Sequence, residues 1–399
     1  SFYFLEMAMK RWKWAAVAAS CAVVLAGCGG ASDGSDTTPK TVAPSVKVFG
    51  DSIMDSGTFG CKFTLQSADK TNPIPIFPEL VAANFGVSKL CAFFNFTGTT
   101  FVPNTDCTNY AVASARINGQ SDPNAPTPGN PFSIPYQMAV ASATLKSSDV
   151  VIIDGGGNDL AVLTGAYLGI NTSATGFTTY TNLLSTLLPP ATVGAIIGAT
   201  PTATSLGTAA GAYAQALGQS MAAAVKANVV SKGVAKVVVI NSADITATPR
   251  FQVVLASVAA AAGTAQRDAV QAAVGAWTRA YNASLAQGLA GTNVQIFDLY
   301  GEGVKVLANP AQYGLTNVTT PACPKVPGGI SDLGLAALDF PQTVAACNTA
   351  NMSANIPVGE TKADWWKGYA FSDQFHFTST MNILIAQSIN LQLAKAGWL

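Results

Sequence analysis

Three short segments, far apart in the chain, carry side chains that together could act on a carbonyl group. In the first, Gly50-Asp51-Ser52, a serine sits in a tight turn directly after an apolar run. A serine in a turn is most often structural, but its hydroxyl becomes a nucleophile when a neighbouring base takes its proton. His376 is the single histidine among 399 residues, and Asp373 lies three residues before it. That spacing allows the carboxylate to hold the ring Nδ1-H while Nε2 faces a hydroxyl. The third segment is Gly156-Gly157-Asn158-Asp159. Its glycines permit close backbone approach, and the Asn158 amide can donate to a developing oxyanion. A phosphate loop is the competing reading, but the Lys-Ser/Thr that such loops require is missing. One imidazole leaves no room for zinc, two-metal or haem chemistry built on several histidines. Asp154 stands alone before the glycines, without the clustered carboxylates of a cation site, so no metal or organic cofactor is expected.

These segments need a scaffold that presents them at one edge. The runs 45–49, 149–154, 234–240 and 294–298 are short and apolar, as in strands buried on both faces. Helical patterns lie between and after them, at 209–231, at 252–287 with a break near Gly263, and at 380–396. Strand and helix in alternation predict a three-layer α/β/α, doubly wound, mainly parallel sheet. Loops at the carboxyl ends of its strands are where chemistry collects. With no repeat or interdomain linker, residues 45–399 are expected to form a single domain.

The three segments, in this order, resemble the SGNH/GDSL family of serine esterases and lipases. Cys107 to Ala115 is similar to that family's second block in its plant-type and autotransporter-passenger-like branch, where Asn-Tyr-Ala is followed by Gly-Gly; here Ala113-Ser114 occupies the glycine positions. The resemblance implies a flavodoxin-like hydrolase fold and a Ser52, His376, Asp373 triad. It further implies an oxyanion hole drawn from the N-H groups of Ser52 and of Ala113 or Ser114, with the Asn158 amide. A positive φ at Ala113 or Ser114 would be strained. Gly156, Asp51 and Asp159 are expected to support the site by shaping loops. Phe377 stands where the family usually has proline, a change expected to affect packing. The implied activity is carboxylic ester hydrolysis of the esterase, lipase or phospholipase type. Polysaccharide O-deacetylation on the same fold is the alternative within enzymes, and a catalytically silent outer-membrane binding lipoprotein is the alternative outside them.

Composition agrees with export. Charged residues make up 11% of the chain and apolar ones 49%, well below the usual quarter charged. The 21 basic and 21 acidic residues balance, which excludes a phosphate-backbone partner and so a nucleic acid. Lys10, Arg11 and Lys13 precede a short apolar run ending in Leu25-Ala26-Gly27-Cys28. This pattern reads as a lipoprotein signal over residues 1–27, with Met9 as the better start. Cys28 is the expected lipidation site, and residues 28–44 are a flexible tether. The expected place is therefore the outer membrane, cell surface or periplasm, with membrane contact through the lipid anchor alone and a small-molecule or lipid ester as partner. In an oxidising compartment Cys91 with Cys107 and Cys323 with Cys347 are the nearest pairs, leaving Cys61 over. Leu160 to Val225 contains no charged residue, which fits either an insertion framing an acyl cleft or lid, or an uncharged surface.

Overall fold

A computed structural model describes residues 42–119, 130–326 and 346–399. The signal segment, Cys28 and most of the tether lie outside the described residues. Four parallel strands form the central sheet: β1 (Val46–Phe49), β4 (Val150–Ile153), β5 (Lys236–Ile240) and β6 (Gln295–Phe297), adjacent in that order. Val46 pairs with Val150 and Val150 with Lys236, so the first three strands begin level. A small antiparallel hairpin, β2 (Phe94–Phe96) with β3 (Phe101–Pro103), stands apart from this sheet.

The strand sequences explain the three layers. Val151, Ile153, Val237 and Val239 point into one apolar core, and Val150, Ile152, Val238 and Ile240 into the other. Alternation within an all-apolar run buries both faces, as a parallel sheet covered by helices requires. One face is covered by α2 (Ile134–Ala141), α6 (Ala203–Asn228) and α8 (Thr264–Leu289), the last carrying buried Trp277 and Tyr281. The other face is covered by α1 (Phe77–Asn84) and α11 (Ser379–Lys395), which bring Phe77, Val81, Ile385 and Ile389. The doubly wound architecture expected from the sequence is present, and the helix break falls at Gly263, between α7 (Pro249–Ala262) and α8.

The uncharged stretch folds into α3 (Gly157–Gly169), α4 (Gly176–Ser185), α5 (Pro190–Ile197) and α6. Its anchors are internal: Leu163, Tyr180 and Leu184 are fully buried in the larger core. The Tyr180 hydroxyl donates to the Leu206 carbonyl at 2.6 Å. Asn118 Nδ2 donates to Thr186 Oγ1 and to Tyr213 Oη. These anchors bury one side of the stretch, while residues such as 171–175 and 198–204 are exposed and present an uncharged surface.

Disulfides join Cys91 to Cys107 and Cys323 to Cys347, the pairs nearest in sequence, and Cys61 is a buried thiol. The first closes the loop that carries β2 and β3 into the second family block. The second approaches the His376 loop, since the Cys323 N-H donates to the Ser372 carbonyl at 2.7 Å.

Candidate active site

The Ser52 turn begins where β1 ends. Gly50 has φ of 154°, and a Cβ there would collide with Asp154 Oδ1, so only glycine fits between the two strand ends. Gln137 of α2 grips the same residue from the side, accepting the Gly50 N-H at 2.9 Å and donating to its carbonyl at 3.0 Å. Asp51 Oδ1 then accepts the Ile53 N-H at 3.2 Å, closing an Asx turn that presents Ser52.

His376 arrives on a separate tight loop. Phe371 and Phe377 bridge antiparallel, and Ser372 donates to the His376 carbonyl from its N-H at 2.8 Å and from Oγ at 3.0 Å. Thr378 ends the loop by capping α11. Inside it, Asp373 Oδ1 accepts the N-H groups of Phe375 at 2.7 Å and His376 at 2.5 Å. Its other oxygen lies 2.7 Å from His376 Nδ1, and His376 Nε2 lies 2.8 Å from Ser52 Oγ. All three side chains are buried. Burial works to raise the Asp373 pKa, but the facing imidazole and the hydrogen bonds from His376 and Phe375 outweigh it and hold the carboxyl below its usual range. A carboxylate that stays ionised there can fix the ring orientation and stabilise an imidazolium. Phe63 packs against the ring at 5.1 Å between centroids.

The second block lies along the free side of β1. Its Tyr110 N-H donates to the Val48 carbonyl and its Val112 N-H to the Gly50 carbonyl, which carries Ala113 and Ser114 to the Ser52 turn. The Ala113 N-H is taken by Asp55 Oδ2 at 3.0 Å, and the Ala115 N-H by the Val112 carbonyl. Ser114 is different. Its φ is 66°, the single positive value for a non-glycine among the described residues. Among the described residues the N-H groups of Ser114 and Ser52 donate to no protein acceptor. A non-glycine residue held in this region marks functional sites.

Asn158 enters from the first turn of α3. Its Nδ2 donates to the Ala115 carbonyl at 3.1 Å and to Asp51 Oδ2 at 3.3 Å, bridging the second block and the Ser52 turn. Gly156, with φ of 102°, lies against the Tyr281 ring, which a Cβ would strike. Asp159 accepts the N-H groups of Ile117 and Asn118, which fixes the loop after the second block.

Burial pushes the Asp51 carboxyl up to about 6, partly offset by the Ile53 N-H and by His376. Asp154 is raised further, by burial and then by the adjacent Asp51. Sequence reasoning passed over Asp55, whose Oδ1 also accepts the Gly57 and Thr58 N-H groups at 2.8 Å each. An Asp-Ser-Gly run is an Asx-turn signal that marks it. Gln137, Phe63 and Tyr281 leave no such local signal.

The GDSL-like Lipase/Acylhydrolase family model matches residues 46–389, most of the chain, and the protein belongs to that family. Membership supports, in general terms, a hydrolase of small-molecule esters. No curated protein matches the chain.

Proposed function

We propose that this protein is a serine carboxylic ester hydrolase in which Ser52 is the nucleophile, His376 the general base and acid, and Asp373 the group that orients and stabilises the ring. The supporting observation is the hydrogen-bonded series Ser52 Oγ, His376 Nε2, His376 Nδ1, Asp373 Oδ2, with separations of 2.8 and 2.7 Å. Such separations suit proton transfer in both directions.

In this reading Ser52 Oγ bonds to the ester carbonyl carbon as its proton passes to Nε2. The C-O bond to the alcohol then breaks, and the imidazolium returns that proton to the departing oxygen. Water, deprotonated by His376, attacks the acyl-Ser52 ester and releases the acid and the serine. The oxyanion of each tetrahedral intermediate is held by Asn158 Nδ2 and by the N-H groups of Ser52 and Ser114, which donate to no protein acceptor among the described residues. Ala113 is assigned a different part, because its N-H is committed to Asp55. The longer of the two Asn158 bonds, to Asp51, is the one exchanged for the oxyanion.

The same reading makes the protein an exported lipoprotein, held at a membrane through Cys28 by the tether of residues 28–44. Metabolic labelling with a palmitate analogue, wild type beside Cys28→Ala, tests this part. Label in wild type alone supports it; equal labelling of both refutes it. For the chemistry, wild type and Ser52→Ala are treated with a fluorophosphonate probe and with p-nitrophenyl acetate. Labelling and turnover confined to wild type support the reading, and their absence from folded wild type removes it.

A further inference from the structure

Two cavities lie beside the loops that carry Ser52 and His376. The nearer, about 60 Å³, lies at the carboxyl ends of β4 and β5 and is flanked by Ile53, Gly157 and Phe375, the immediate neighbours of Ser52, Asn158 and His376. The second, about 220 Å³, opens between the start of α11 and α9 (Leu299–Ala308). Ala243, Thr248, Leu299 and Phe377 line both, so the two are adjacent. We infer that the larger cavity is an acyl-chain pocket, and that the substrates of the proposed Ser52 chemistry are esters of medium-chain aliphatic acids, roughly six to ten carbons long.

The walls argue for hydrocarbon. Val306 and Leu307 of α9 face Met381 and Leu384 of α11, with Phe371 and Phe377 from the catalytic loop between them. Two carboxylates border the cavity, but both are engaged elsewhere. Glu302 binds Lys305 Nζ at 3.1 Å and Ser388 Oγ at 3.0 Å, while Asp244 accepts the N-H and hydroxyl of Thr246. A charged or sugar ligand would find little to bind there. The volume exceeds the ~150 Å³ of an apolar cavity that stays dry and takes up benzene. Phe377, the residue after His376, lines both cavities and stacks on Phe371, another wall of the larger one.

Gly303 supplies a clean test. It lies in α9, lines the pocket, and a Cβ built on it meets no atom within 4 Å. Gly303→Phe therefore puts a ring into empty space and favours the helix. Leu384→Trp fills the pocket from the opposite helix. In wild type, kcat/KM for p-nitrophenyl esters rises from acetate to octanoate by up to about fourfold for each methylene buried. Each filling variant retains acetate hydrolysis and loses most of the preference for octanoate. A wild type without chain-length preference, or variants that keep the wild-type ratio, would overturn the pocket. The inference rests on the ester-hydrolase reading, so a second arm omits catalysis. Ser52→Ala should bind octanoate, read by isothermal titration calorimetry, and adding Gly303→Phe should abolish that binding. If no ester is turned over and Ser52 resists fluorophosphonate, the hydrolase reading fails alone, and this binding arm still decides the pocket. Octanoate binding that is absent from Ser52→Ala, or unaffected by Gly303→Phe, refutes it.

Discussion

Ser114→Gly separates what the backbone of the second block does from what its side chain does. At φ of 66° an L-residue crowds its Cβ against neighbouring backbone, at about 1–2 kcal/mol. Glycine removes that strain but gives the unfolded chain more freedom, which returns about 0.5–1 kcal/mol. The net expectation is a variant more stable than wild type by about 0.5–1 kcal/mol, or roughly 1–3 °C in Tm. The N-H survives the substitution, and the Val112 and Asp55 contacts that hold the segment do not involve the Ser114 side chain. Turnover of p-nitrophenyl acetate should therefore stay within about threefold of wild type, against the ~10²- to 10³-fold loss that follows removal of an oxyanion donor. Urea denaturation and steady-state kinetics on the same preparations give both quantities. Lower stability in the glycine variant would refute the strained conformation. A tenfold or larger loss of kcat in a folded variant would show that the hydroxyl, rather than the N-H, is what the reaction uses.

Three further outcomes follow from the same geometry. Asn158→Ala should lower kcat by ~10²- to 10³-fold while leaving KM and the circular dichroism spectrum close to wild type; near-normal turnover would remove Asn158 from the oxyanion hole. Asp154 is a buried carboxyl raised well above its ordinary value by burial and by Asp51, so the folded state holds its proton more tightly than the unfolded state. Its presence thus costs stability increasingly as pH rises above the unfolded carboxyl value near ~3.9 and up through its folded pKa. Asp154→Asn keeps an oxygen to accept the Asp51 N-H, and its stability relative to wild type should grow with pH by up to ~1.4 kcal/mol per unit; a difference that is flat from acid to neutral pH contradicts the shift. Finally, Cys91 and Cys107 are 16 residues apart, and replacing both with alanine should lower the unfolding free energy by about 2–4 kcal/mol, with an unchanged denaturation midpoint counting against the bond.

Much of the sheet was legible because its strands are apolar on both faces, a pattern that survives without tertiary context. Val237 to Val239 and Val150 to Ile153 are such runs. Helices α4 and α5 were not separately visible, since Ala, Thr, Gly and Ser give little contrast between buried and exposed faces and Thr175 provides no side-chain cap. The β2 and β3 strands are three residues each, too short for alternation to register. At the site, Ser52, Asn158, Asp373 and His376 could be found because their chemistry is local: a turn, a glycine-flanked amide, an acid three residues from the only imidazole. Gln137 and Tyr281 escaped because they act across 87 and 126 residues of sequence, through contacts that exist only after the sheet and its covering helices have assembled. The departure at Ala113-Ser114 was visible, but assigning the two N-H groups needed the position of Asp55, which captures one of them.

The central claim is that His376 activates Ser52 for attack on an ester. Its most direct test is the rate of fluorophosphonate labelling at Ser52, read by intact-protein mass spectrometry for wild type and for His376→Ala. The account predicts stoichiometric labelling of wild type within minutes, and labelling slowed by at least about 10³-fold in a folded His376→Ala. Equal labelling rates in the two proteins would contradict it.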